Sequence, residues 1–328
     1  MGLLDRRGLL LSSILISLAL EHGSYASEEP GIKTPHLRVP APPEQCSPQH
    51  LSQDIAHFGP NIVLGMAHGY DKEKLHLLVS SFMRHVKDAT LVLFAEAVPD
   101  RWPHHLRGVH IVTVEIEASL GSPSEARFLA YFCFLQAAPF LARVVTVDTR
   151  DVVFTGDPFE VYTDNLLHFF QESALKTIGE EEYNRKWVRG CTTQMKLPRA
   201  TENLMGMSVL NAGTMIGPAQ SLQHFLGLFT GAMRAYTPGC YDQGLLNVMI
   251  WSGQFELPPF MTDSTEVGRW LTVGLKESHD STYHISGSDL VSKATGKRYV
   301  AAHQYDRVPE LTAHFRKLYP EQHEHTTV

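Results

Sequence analysis

Residues Arg143–Phe159 combine an apolar run with acids at a spacing that could do chemistry. Val144, Val145, Thr146 and Val147 are β-branched and read as a buried strand. Asp148, Arg150 and Asp151 follow where the chain must leave the sheet. Two carboxylates at that point are costly to desolvate unless positive charge lies against them. The carboxyl rim of an open α/β sheet is also where ligands bind. A divalent cation carrying a diphosphate answers both facts, and hard oxygen ligands suit Mn2+ or Mg2+. The bland reading is a strand-end salt bridge, with Arg150 pairing one acid.

Further residues invite the same double reading. Arg127 sits one turn into a helix that precedes the acidic strand, where it either faces solvent or reaches an anion. Asn211-Ala212-Gly213 is a turn-forming triplet, or a place where backbone approaches a ligand closely. Asp242 is either an N-cap or an acid at a site, with Gln243 beside it and Asn247 about a turn later. His303 follows an apolar strand and precedes Gln304–Arg307, and a neutral imidazole there could complete a metal site. His68 and Tyr70 end the first strand and could line a pocket.

The elements that must position these residues can be read in order. Strands are expected at Ile62–Gly65, Thr90–Phe94, Val109–Glu115 and Val144–Val147. Between them, Asp71 caps a helix whose Leu75, Leu78, Val79, Phe82, Met83 and Val86 share a face. Ser122-Pro123-Ser124-Glu125 opens a second helix as a capping box. This alternation predicts an α/β fold, a mostly parallel Rossmann-like sheet with helices on both faces. A smaller, loop-rich C-terminal part follows. There Glu180–Arg199, with Trp187 inside it, reads as a loop-rich insertion that could wall a substrate site, and Ser208–Ile216 as a strand broken at Asn211-Ala212-Gly213. Helices are expected from Pro218, from Asp242 to near Gly253 and from Pro309 to Tyr319, with a hairpin turning at Ala294–Lys297. The first strand is followed by Gly65-Met66-Ala67-His68-Gly69, which is no dinucleotide-binding fingerprint.

The chain divides into an N-terminal segment (1–26), a Pro- and Ser-rich linker (27–59), one domain (60–320) and a tail (321–328). Arg6-Arg7, the apolar run Leu9–Leu20 and Ser24-Tyr25-Ala26 form the pattern of a secretory signal peptide, with a short signal-anchor as the rival. A lumenal, Golgi or secreted protein is therefore expected, touching membrane only if that segment stays uncleaved. A net charge of −7 argues against nucleic acid as a partner. Of the four cysteines, Cys191 and Cys240 are expected to pair and Cys133 to be a buried thiol.

Asp148-Thr149-Arg150-Asp151 with Asp157-Pro158-Phe159, Asn211-Ala212-Gly213-Thr214, Asp242-Gln243 with Asn247, and His303 together resemble the motifs of GT-A nucleotide-sugar glycosyltransferases. The resemblance covers roughly Asn61 to Tyr319 and implies a single GT-A catalytic domain. It implies a nucleotide-sugar donor, UDP favoured, and a glycan, protein or lipid acceptor. It makes Asp151 the direct metal ligand with His303. Asp148 would hold the ion, its water or the ribose. Arg127, His68, Tyr70, Gly213 and Gln243 would contact the donor, and Asp242 and Asn211 would be catalytic. The usual acids stand at i, i+2, whereas here they stand at i, i+3. On a flat strand that spacing points them to opposite faces, so they converge only if the chain turns at Thr149-Arg150. The alternatives are a metal-dependent hydrolase using the same acids and a non-catalytic carbohydrate-binding relative.

Overall fold

A computed structural model of the chain describes residues 46, 58–95, 108–113, 123–236, 239–275 and 282–321. The expected signal segment, nearly all of the linker, the capping Ser122 and the tail beyond residue 321 lie outside the described residues.

Strands β1 (Asn61–Met66), β2 (Ala89–Ala95), β3 (Val109–Thr113) and β4 (Arg143–Asp148) are parallel neighbours. Helix α1 (Lys72–His85) links β1 to β2, and α2 (Pro123–Ala137) precedes β4. Asp71 caps α1 by accepting from the Lys74 amide at 2.9 Å. Later strands β6 (Leu167–Gln171), β7 (Leu210–Pro218) and β8 (Phe260–Asp263) extend the sheet to the order β3-β2-β1-β4-β7-β6-β8. Among the described strands of this sheet only β7 runs antiparallel, against both β4 and β6. This is the mostly parallel α/β sheet expected from the alternation of elements.

Side-chain alternation along the strands divides the core between two faces. Ile62, Leu64, Val92 and Phe94 pack with α2, α6 (Ala219–Tyr236) and α7 (Asp242–Trp251). Val63, Leu91, Leu93, Val145 and Val147 point the other way, against Leu75, Leu78, Val79 and Phe82 of α1. Both faces being covered explains why these strands are apolar at nearly every position.

The second half departs from the sequence reading at several points. Glu180–Arg199 is not loop-rich: it forms α4 (Glu182–Gln194) and the start of α5 (Pro198–Met205). Helix α4 buries Asn184, Val188, Cys191 and Thr192. That spacing of four, three and one is helical, but half of its members are polar, so hydropathy hides it. Strand β7 is not broken at Asn211-Ala212-Gly213 but runs through it, and the irregularity falls in its pairing with β6, between Phe169 and Gln171. The short α3 (Pro158–Val161) is capped by Asp157.

Nor is the C-terminal part mainly loop. Strand β5 (Val152–Phe154) pairs with β12 (Ala301–His303), which also pairs with β9 (Trp270–Thr272), and α8 (Pro309–Leu318) follows. The hairpin of β10 (Tyr283–Ser286) and β11 (Asp289–Ser292) turns at Gly287, where φ is 63°. A two-residue loop with glycine first suits the strand twist. The expected turn at Ala294–Lys297 is a second one, closed by the Gly296 amide donating to Ser292 O at 2.9 Å.

Cys191 and Cys240 form the expected disulfide, stapling α4 to the approach of α7. Cys133 is not a free thiol: it pairs with Cys46, tying the linker to α2. Sequence alone could not pair Cys46, because its partner lies 87 residues away across the domain. Two disulfides suit an oxidising, lumenal or extracellular environment. No helix among the described residues is long and apolar enough to cross a membrane. Replacing Cys191 and Cys240 with serine together should cost about 2–4 kcal/mol. The loss should appear as a lower urea midpoint with a steeper slope, because the uncrosslinked chain exposes more surface when it unfolds.

Candidate functional site

The acids converge because the chain bends as soon as β4 ends. Residues 149–151 leave the sheet, and Thr149 folds back so that its hydroxyl donates to Met66 O at 2.5 Å. Gly65 makes that fold possible, since a Cβ there would collide with the Thr149 methyl. The chain then enters β5, and the register of β5 with β12 sets Val152 opposite His303. His303 thereby arrives beside Asp151. Gln304, at φ 60°, turns the chain away immediately afterwards, and its amide donates to Asp151 O at 2.8 Å.

The result is a compact donor set. His303 Nε2 lies 3.2 Å from Asp148 Oδ2 and 3.5 Å from Asp151 Oδ1. One ligand atom from each residue falls within 4.8 Å of the other two. A small hard cation with bonds of about 2.1 Å spaces adjacent ligands by about 3 Å, so the three atoms fit around one ion. The group could hold a metal ion.

These residues stand at one end of a cleft of about 320 Å³. His68, Tyr70, Arg127, Asp148, Asp151, Asn211, Gly213, Asp242 and Gln243 all line it, so the structure brings the sequence candidates together. His303 is fully buried behind the two acids. Asn247 does not reach the cleft. It is buried, and its amide clamps Leu210 through paired bonds of 2.9 Å to the backbone N and O. Its position near Asp242 reflects packing of α7 on β7, not ligand contact. Asp242 is not an N-cap either: Tyr241 holds that place and Asp242 is the first helical residue.

Charge balance in the cleft rests on two arginines. Buried Arg127 contacts Asp148 Oδ1 and donates to Asp242 Oδ2 at 3.1 Å, spanning the site. Arg150 pairs with Asp151 at 3.0 Å and with Asp306 at 3.4 Å. Burial works against ionised Asp148, but the Arg127 charge and the His303 hydrogen bond hold its carboxyl well below the usual range. Burial raises Asp242 instead, with Arg127 opposing. Burial alone would lower His303, yet hydrogen bonds to Asp148 and Asp151 push it up to about 9. An ion bound at these acids must displace that proton.

Sequence reasoning missed a second layer. Glu172 is buried behind the cleft and accepts from Asn211 Nδ2 at 2.9 Å and Gln243 Nε2 at 3.2 Å. Gln243 also donates to Asn184 Oδ1 at 2.9 Å and accepts from the Ala212 amide at 3.2 Å. Asn211 Oδ1 accepts from the Gly213 amide at 2.7 Å. Gln243 is thus largely committed to shaping the wall. Trp187, in the segment expected to wall a substrate site, lines the cleft, and so do Thr149 and Gln304. Thr149 and Gln304 adjoin Asp148 and His303 in sequence, and only the fold shows that they too face the cleft.

The sequence finds no match among protein-family models or curated proteins. The mixed α/β architecture and the Asp-Asp-His group are compatible with a GT-A fold.

Two outcomes follow from this geometry. A Cβ at Gly213 would lie 2.7 Å from His303 Cε1 and closer still to the Asp148 carboxylate. Gly213→Ala should therefore abolish Mn2+ binding in calorimetry and cost about 1–3 kcal/mol of stability. In metal-free protein the His303 pKa of about 9 stands above its ordinary 6.5. The stability it contributes is fully present below the ordinary value and is lost as pH rises through the folded value. Chemical denaturation from pH 6 to 10 should show that decline, and His303→Gln should flatten it.

Proposed function

We propose that this chain is a metal-dependent glycosyltransferase of the GT-A fold that moves a sugar from a nucleotide donor, UDP favoured, to an acceptor in the secretory pathway. The observation that carries the reading is the meeting of Asp148, Asp151 and His303 at the carboxyl rim of β4, where the two acids line a cleft. A divalent ion held by these three would neutralise charge on the departing diphosphate.

The chain's own residues account for the rest. In transfer, the bond from the anomeric carbon to the diphosphate breaks and a bond to an acceptor oxygen forms. Arg127, fixed between Asp148 and Asp242, offers a buried cation toward diphosphate oxygens. His68 and Tyr70, just beyond β1, line the wall suited to the nucleoside. Asn211 is oriented by Glu172 and can bind a sugar hydroxyl. Gly213 leaves room beside Asp148. Asp242, across the cleft, is placed to take the acceptor proton or to stabilise positive charge on the sugar. The disulfides and the signal pattern support a lumenal setting.

One observation favours a second reading, a non-catalytic relative: Arg127 and Arg150 already pair both acids. A hydrolase would use the same acids but release sugar without need of an acceptor. The deciding measurement is thermal stabilisation by UDP, GDP and CDP, with and without Mn2+, in the wild type and Asp151→Ala. UDP with Mn2+ should add about 2.7 kcal/mol at a hundredfold excess over Kd, and Asp151→Ala should remove the gain. Stabilisation that ignores both metal and substitution would sink the proposal.

A further inference from the structure

Three aromatic side chains lead out of the cleft. Trp187 lines it, and Tyr241 immediately precedes Asp242. Tyr183 lies one turn before Trp187 on α4, so the two share a helix face. Ring centroids are 6.0 Å apart for Tyr183 and Trp187 and 6.2 Å apart for Trp187 and Tyr241. Yet Tyr183 is 65% exposed and Tyr241 54%. Two tyrosines held in water against a tryptophan at a cleft mouth bury little of themselves, so core packing does not explain them.

The row is also rigidly mounted. The Cys191–Cys240 disulfide ties the helix carrying Trp187 to the residue before Tyr241. Gly244 lets α7 approach so closely that a Cβ there would sit 2.8 Å from Trp187 Cβ. Gly190 similarly lies against Gly239 O. Aromatic rings fixed in advance lose little freedom when a ligand covers them.

We propose that Tyr183, Trp187 and Tyr241 form the acceptor subsite and that the acceptor is a glycan whose pyranose rings stack their C–H faces on the row. This assignment of the row to the acceptor rests on the glycosyl-transfer reading; carbohydrate binding itself does not. A nucleobase would cover one ring, whereas three neighbouring rings tilted by 38° and 52° to one another offer separate faces to more than one sugar. An acyl chain would meet Glu182, Lys186 and Arg189 on the exposed surface of α4 beside the row. Sugar hydroxyls are at home among such groups and among the tyrosine hydroxyls.

The test uses the full chain with cellotetraose and maltotetraose as probes, read by saturation-transfer NMR and tryptophan fluorescence. The same samples are titrated separately with UDP and Mn2+. At least one tetrasaccharide should receive saturation on its ring C–H protons and shift the tryptophan emission. Tyr183→Ala and Tyr241→Ala should each weaken that binding about tenfold, and Tyr183→Phe should restore it. Melting temperatures check that each variant is folded. UDP binding without tetrasaccharide binding, or tetrasaccharide binding indifferent to Tyr183→Ala, overturns the glycan subsite. Tetrasaccharide binding without UDP binding upholds the stacking row and overturns the transferase reading beneath it.

Discussion

Repulsion among acids that are wholly or partly buried is the constraint that organises this molecule. Asp148, Asp151 and Asp242 are gathered around one cleft, and such a gathering cannot persist without compensating positive charge. The fold supplies that charge from three separate elements. Arg127 comes from α2, Arg150 from the bend after β4, and a protonated His303 from β12. Each is held by elements that have their own reasons to form. Strand β4 and its bend deliver Asp148 and Asp151, α7 delivers Asp242, and the cations beside them make it possible to keep them there.

That compensation is uneven. Arg127 is buried and spans two carboxylates, so removing it would take the paired cation from Asp242 and leave Asp148 to His303 alone. Arg150 is about half exposed and shares itself between Asp151 and Asp306. A surface-facing arginine gains little from any one acid and can leave it cheaply. His303 holds its place by a proton that a cation can replace. Of the three positive groups, two are exchangeable and one is structural, which is the balance expected where an ion and an anionic ligand enter and leave.

Much of the fold was legible because its signals are local and redundant. The β-branched run at Val144–Val147 and the Asp71 cap announce their elements without help from elsewhere. The convergence of Asp148 with Asp151 was legible only as a condition, that the chain turn at Thr149, and the pairing of Thr149 with Met66 meets it. What stayed hidden depends on distant partners. Helix α4 buries asparagine and threonine against α7, so its amphipathic stripe carries too little hydropathy to read. Glu172 ends a strand like any surface acid until Asn211 and Gln243 close over it. Cys46 has no identifiable mate in a linker, and the hairpin turn at Gly287 competes with an equally plausible glycine at 296.

The antiparallel strand β7 of the seven-stranded sheet explains why these scattered motifs share a site at all. Parallel strands bring only their carboxyl ends to the functional rim. Because β7 runs against β4, with Thr146 opposite Met215, its early residues reach that rim instead. Asn211, Ala212 and Gly213 therefore arrive beside Asp148, and the absence of a side chain at Gly213 keeps His303 and Asp148 in contact. Helix α7 then needs only to pack on β7, through Asn247 and Leu210, to carry Asp242 over the cleft. Reversing one strand thus recruits the second half of the chain to a site that the first half begins.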